Sequence, residues 1–436
     1  MAFLKTIAIY IGIVIGGIVI LFSLPGCTDS CTTTTTYISY NPIYASMAKL
    51  RTQVDVLPPQ PRESQGKIYV FGEYLLLSDP GKGIHIFNNS DNTNPTAISF
   101  INIPGNVDMA VRGNKLYADS YFDLLVFDFL DPTNISLSNR VENTFSTYNN
   151  QFGSWSAADA DRVLIELEEV DMIEITNNCT TRSNQIFFEG DMVFMDASSS
   201  FAKSASQPAP TTGVGGSMAR FTIVNNYLYT VDDNLMHVFD ITSPNNPDQK
   251  TTINLGWGIE TIFPFKNNLF IGSTSGMHIY NIDNPEDPQF MSISVHVTTC
   301  DPVVANDNYA FVTLRAENGS GGWCGNTFTN QLDVIDISDV SNSKLLYEFT
   351  MTSPYGLGID GNTLFITEGD AGLKIFDITD VSKIDENLIQ HMTGFNAFDV
   401  IPINGTLILT GNDGLYQFDY SNLNEIKMLS LIPATL

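Results

Sequence analysis

The sequence predicts an all-β fold: a β-propeller of seven blades, with four antiparallel strands per blade and eight blades as the alternative. Three observations predict it. First, a short phrase returns seven times. It reads GIHIFNNSDNTNP from Gly83, DLLVFDFLDPTNI from Asp123, LMHVFDITSPNNP from Leu235 and GMHIYNIDNPEDP from Gly276. It returns as QLDVIDISDVSNS from Gln331, GLKIFDITDVSKI from Gly372 and GLYQFDYSNLNEI from Gly414. Second, the acidic or amide residues after the apolar runs are Asn88, Asp128, Asp240, Asn281, Asp336, Asp377 and Asp419, at steps of 40, 112, 41, 55, 41 and 42 residues. A step near 41 exceeds an ankyrin or tetratricopeptide unit and matches a four-stranded blade. Third, each step is cut into short apolar runs by Gly, Asn and Asp turns, with no sustained helical stripe.

Taken in chain order, residues 1–26 read as a signal peptide of lipoprotein type and are set apart from the fold. Lys5 is the only basic residue there, and Thr6 to Leu24 carry no charge. Leu24-Pro25-Gly26-Cys27 then resembles the site where a lipoprotein signal is cleaved and the cysteine, here Cys27, is acylated. An uncleaved single-pass anchor is the alternative, since about 19 apolar residues can span a bilayer. Either way the chain is exported and tethered. Residues 27–66 form the tether and N-terminal segment, with Thr28 to Thr36 as a flexible spacer.

The propeller occupies residues 67–436. The first unit opens near Lys67 with KIYVFGEYLLLSDPG. In the following units, paired runs lead into each anchor: Met109 to Ser120, Met218 to Asp232, Thr261 to Ser273, Val303 to Leu314 and Asp399 to Thr410. The clearest unit, Tyr355 to Phe395, reads as four strands: YGLGIDGN, TLFITEGD, GLKIFDIT and ENLIQHMTGF. The anchor phrase is the third strand. Its terminal Asp or Asn can accept from backbone amides just ahead in an Asx-type turn, and the later Pro stops the strand. These acids are therefore structural. Two intervals are irregular. Residues 144–217 form an insertion containing DRVLIELEEVDMIEIT, whose DMIEIT resembles a degenerate anchor, and a Ser/Ala/Pro/Gly-rich stretch. Arg315 to Asn330 is a Gly-rich insertion with Trp323 beside Cys324.

The phrases LLVFDFLDP, LDVIDISDV and LKIFDITDV resemble the LVIVD repeat family, named for the consensus of that strand. The resemblance spans residues 67 to 430 apart from the insertion. It implies an exported, tethered propeller and a lipid anchor at Cys27. It carries no catalytic motif, and propellers host enzymes and binding modules alike.

Composition narrows the function. Lys+Arg number 20 against 48 Asp+Glu, a net charge of −28. That field opposes nucleic acid, which needs clustered cations. If Cys27 is acylated, Cys31, Cys179, Cys300 and Cys324 remain for an oxidising compartment. Cys300 with Cys324 is the favoured disulfide, because both fall in one unit and it would staple a long loop. No C-x-x-C spacing supports zinc. His85, His237 and His278 recur at one place in the anchor phrase, but on third strands, too far from the axis to converge on a metal. GVGGSMAR from Gly213 lacks the Lys-Ser/Thr ending of a phosphate loop and reads as a flexible loop.

Propellers bind ligands at a mouth of the central channel. The segments opening the units place Asp108, Glu260, Asp301 and Asp399 at similar register, a candidate ring for Ca²⁺ or a basic partner. No other cofactor is expected. The sequence-level reading is a lipid-anchored binding module at the cell envelope, on the outer membrane or cell surface, whose partner is an envelope protein or glycan. The alternative is an envelope hydrolase or lyase acting on a glycan or peptide with carboxylates at that mouth.

Overall fold

A computed structural model of the chain describes residues 33–64, 66–150, 153–159, 161–176, 212–296, 302–316 and 329–434. The expected signal segment 1–26, Cys27, Cys31, Cys179, Cys300, Asp301, Trp323 and Cys324 lie outside them. The chain divides into two units. The smaller contributes a two-stranded sheet made by Thr33–Ala45 and Val163–Thr176. The anchor-like DMIEIT therefore belongs to this ribbon and does not build an eighth blade.

The larger unit holds seven sheets of four consecutive antiparallel strands, one per repeat. Their first strands are Ile68–Phe71, Met109–Arg112, Phe221–Val224, Ile259–Phe265, Val303–Ala305, Leu357–Asp360 and Asp399–Ile403. Each touches the first strand of the next blade from blade 1 to blade 7, so these strands line the axis. Fourth strands such as Lys344–Thr350 lie at the rim and are mostly exposed. The third strands are the repeated phrase: Gly83–Asn88, Asp123–Asp128, Leu235–Asp240, Gly276–Asn281, Gln331–Asp336, Leu373–Asp377 and Gly414–Asp419. Both faces of these strands are buried between neighbouring blades, which is why strict apolar–polar alternation is missing from the sequence.

The anchor residues do what the turn argument requires. The amides of Ser90, Thr242, Asp283, Ser338, Thr379 and Ser421 donate to the side chains of Asn88, Asp240, Asn281, Asp336, Asp377 and Asp419, at 2.8–2.9 Å. Blade 2 departs: Asp128 instead takes the ammonium of Lys115. Every blade also carries a bulge between its third and fourth strands at one common place, as at Ile86/Phe87, Ile375/Phe376 and Gln417/Phe418. In blade 6 the link between those strands holds two short 3₁₀ turns within Val381–Glu386, separated by a kink at Lys383.

No blade is shared between the chain ends, so the ring closes by packing. Ile68, Val70, Leu75, Leu77 and Phe87 of blade 1 bury against Ile401, Ile408, Leu415 and Ile432 of blade 7. Two amides lock the same seam: Asn89 Nδ2 donates to Gln417 Oε1 at 2.9 Å, and Gln417 Nε2 returns to Asn89 Oδ1 at 2.7 Å.

The segment between Ala45 and Ser64, which falls within the expected tether and N-terminal segment 27–66, packs on the propeller. Asp55–Leu57 adds a fifth strand to the rim of blade 1, against Phe100–Asn102. The helix Met47–Arg51 ends on Arg51, which grips the buried Asp123 through Nε at 2.7 Å and Nη2 at 2.8 Å. Arg140 adds a third contact to Asp123 at 3.0 Å. Burial pulls the Asp123 carboxyl up, but the hydrogen bonds from Arg51, Asn143 and Arg140 outweigh it and hold the group below its usual range. Its stabilising contribution is therefore full above the ordinary carboxylate range and fades as pH falls through the depressed value. Arg51→Ala is expected to cost about 2 kcal/mol, the worth of charge-assisted hydrogen bonds. Urea denaturation measures that loss, and faster protease cleavage between residues 45 and 64 should accompany it; an unchanged midpoint would refute the clamp.

The largest departure from expectation is at the axis. The GVGG stretch is no free loop. Val214–Gly215 pairs antiparallel with Tyr69 and Val70 on the inner strand of blade 1. Thr212 bridges Arg112, and the Gly213 amide donates to Val111 O at 3.0 Å, both on blade 2. Across the channel, Ser217 Oγ receives the Leu357 amide of blade 6 at 3.0 Å. Gly215, Gly216, Ser217, Met218 and Ala219 are buried. The end of the insertion therefore threads the channel, running from the hairpin-turn end of the inner strands to the end where they begin, here called the upper face. It then feeds directly into blade 3.

Candidate functional site

Counted back from its first hairpin turn, each blade places one residue at a common register heading the inner strand. These residues are Lys67, Asp108, Arg220, Thr261, Pro302, Gly356 and Asp399. The register carries two cations and two anions; of the expected ring of Asp108, Glu260, Asp301 and Asp399 it includes Asp108 and Asp399. Glu260 sits one residue out of step, before Thr261, and Asp301 lies outside the described residues. Lys67 in KIYVF and Arg220 in MARFTI stand at the same distance from their turns as Asp108 and Asp399, and both are legible in the sequence.

Asp108 is fully engaged. Its Oδ2 takes the Lys67 ammonium at 3.0 Å and the amides of Arg220 and Phe221, while its Oδ1 takes the Met109 amide at 2.7 Å. Both partners of the ion pair are almost wholly buried. Burial pushes the Lys67 ammonium down, and the Asp108 charge opposes that. Asp399 heads blade 7 and is also buried. Among the described residues no three His, Cys, Asp or Glu side chains are grouped to hold a metal ion.

The histidines share one place on their third strands, yet each is tied within its own blade. His85 Nε2 lies 3.5 Å from Asp79, His237 Nε2 lies 3.2 Å from Asp232, and His278 Nε2 lies 3.3 Å from Ser273. Blade 6 puts Lys374 and Glu368 at the same two places as an ion pair of 2.8 Å. The recurrence is a brace between second and third strands.

Two junctions are latched on the upper face by one second-strand position. Thr313 Oγ1 donates to Tyr355 O at 2.6 Å, joining blade 5 to blade 6. Thr367 Oγ1 donates to Phe398 O at 2.9 Å, joining blade 6 to blade 7. Blade 2 has Asp119 at this position, and it turns back into its own blade. Its Oδ1 accepts from Asn106 Nδ2 at 2.8 Å, Val107 N at 2.7 Å and Asp108 N at 3.0 Å. A shallow cleft, open to solvent, lies at the junction of blades 2 and 3.

Arg220, Asp119, Asp232, Asp233, Tyr121 and Tyr148 line the cleft. Burial first, and then the neighbouring Asp108 charge, push the Asp119 carboxyl up to about 6 against its amide donors and Lys67. Asp232 is spoken for: Oδ1 accepts from the amides of Asn234 and Leu235, and Oδ2 faces His237. Tyr121 occupies a left-handed backbone conformation, φ 55°, in the tight turn after Ser120. Such strain in a non-glycine residue persists only where surroundings enforce it. Here its ring lies over Gly105, where a Cβ would come within 2.6 Å, and meets Tyr148 edge-on at 4.6 Å. Trp257 stands on the same face, 64 % exposed, in the link from blade 3 to blade 4. Tyr148 comes from the hairpin of Thr147–Asn150 and Gly153–Ser156 within the insertion, which no repeat pattern could reveal.

The LVIVD repeat family matches residues 327–350, the third and fourth strands of blade 5. No curated protein sequence matches the chain. Similar solved structures include the computationally designed Ika8 protein, at 10% identity over 85% of this chain and 89% of that one, TM-score 0.48. BamB from Moraxella catarrhalis is similar at 8% identity over 89% and 97%, TM-score 0.45. Kluyveromyces lactis Hsv2 is similar at 12% identity over 85% and 98%, TM-score 0.42. The chain is a seven-bladed β-propeller that carries an LVIVD repeat in its fifth blade.

Proposed function

We propose that this chain is a lipid-anchored interaction module of the cell envelope, held by Cys27, whose upper face binds an envelope protein or glycan. One observation supports binding over turnover: the channel where a propeller would house a reaction is filled by the chain's own residues 212–219. Asp108, at that mouth, is buried and already takes four donors, the Lys67 ammonium and three backbone amides, an arrangement that suits a structural anchor better than acid–base work on a glycan or peptide. What the face offers is contact surface, with the exposed Trp257 as an anchor of the kind that dominates protein interfaces.

The test is cross-linking of the full chain in intact envelopes, followed by identification of what is joined to it. Trp257→Ala should remove the cross-linked partner while leaving the melting temperature unchanged. Cys27→Ser should release the chain from the membrane fraction. A partner retained by the Trp257 variant would move the binding face elsewhere, and turnover of a glycan or peptide by the wild type would replace the reading altogether.

A further inference from the structure

The cleft between blades 2 and 3 holds opposite charges that do not neutralise one another. Arg220 is oriented by its backbone, whose amide donates to Asp108, but no acceptor meets its buried Nε and no ion pair joins its guanidinium to Asp119, Asp232 or Asp233 among the described residues. Thr147 Oγ1, in the same wall, is also buried without a partner. Separated, unpaired charge in a half-closed site is costly unless something spans it. The Asp119 carboxylate takes its three donors on one oxygen, which leaves the other as an acceptor. Tyr121 and Tyr148, edge-on to each other at 4.6 Å, line the same cleft.

From this arrangement we infer that the cleft binds a small zwitterion of the α-amino acid type, its carboxylate on Arg220 and its ammonium on Asp119 and Asp233. A guanidinium without an acceptor asks for a carboxylate, which it can take bidentately. A simple anion meets the repulsion of a chain with net charge −28, and a simple cation meets Arg220. A molecule with both charges and no net charge avoids both penalties. The cleft is open on one side, so a ligand seated between these charges would project into solvent. This site stands whether or not the upper face also docks a larger partner.

The test is isothermal titration of the full chain in detergent with the standard free amino acids, then with the N-acetyl and C-amide derivatives of any that bind. At least one free amino acid should bind, and blocking either end should weaken it about tenfold or more, as expected for the loss of a charge-assisted pair. Arg220→Gln should equalise the free acid and its amide. That variant should fold, because the Arg220 side chain has no partner to lose and its backbone bond to Asp108 remains; circular dichroism checks this. Asp119→Asn, which keeps the oxygen its amides need, should equalise the free amine and its N-acetyl form. Absence of heat with every amino acid, binding indifferent to Arg220, or a uronic acid that binds as tightly would each overturn the assignment.

Discussion

Gly213→Val is expected to destabilise the propeller by about 3 kcal/mol or more, at the upper end of overpacking costs in a filled interior. A Cβ at Gly213 would lie 2.1 Å from Tyr69 Cε1 and 2.7 Å from Val70 O. The first obstacle is a ring already bound through its hydroxyl to Val111 O, and the second is backbone of the inner strand itself. Neither yields by a rotamer change. The segment would have to leave the channel, taking with it the pairing to blade 1, the bridge to Arg112 and the Ser217 contact to blade 6. Those bonds come from three blades, so their loss should loosen the ring as a whole. Ser217→Ala is the measured contrast: it orphans only the Leu357 amide and should cost about 1 kcal/mol. Equilibrium urea denaturation of the two variants reads the difference. Equal, small effects would mean that the threaded segment fills the channel without holding it.

That segment also shows where a sequence stops being readable. The third strands were legible because one phrase repeats, and it repeats because each copy must do the same two things. It buries both faces between blades, and it ends in a residue that can accept from the amides ahead. The turns at Asp240 and Asp377 follow from chemistry local to the residues that make them. The threaded strand has no such local signature. Val214–Gly215 is two residues long, too short for any period, and its partners are remote: Tyr69 and Val70 lie about 145 positions earlier and Leu357 lies 140 positions later. Glycine there is a packing requirement set by Tyr69, but in isolation it reads as flexibility. The same blindness affected the mouth of the channel. The acids there are visible one by one, whereas the role of Asp108 depends on Lys67 and on the Arg220 amide, which come from the neighbouring blades.

Asp108 is where that role can be measured. Asp108→Ala should cost about 5 kcal/mol, near the top of the range for breaking a buried pair. It leaves Lys67 charged in a closed interior and strips the acceptor from the amides of Met109, Arg220 and Phe221. Lys67→Met should cost less, about 3 kcal/mol, because those three amides still satisfy the carboxylate. The double variant Lys67→Met/Asp108→Ala should fall well short of the sum, since the stranded ammonium is gone and only the amides remain unmet. The pH response separates the two single variants. Without Asp108, the Lys67 ammonium loses the charge that opposes its downward shift, so its folded-state value falls further below the unfolded one. A cation depressed in the folded state destabilises at low pH, and the penalty shrinks as pH rises through the depressed value. The Asp108→Ala variant should therefore recover stability toward alkaline pH, while Lys67→Met should not. If calcium instead raised the wild-type melting temperature and Asp108→Ala abolished that rise, the carboxylate would be a cation ligand, and the Lys67 pair would be only its resting partner.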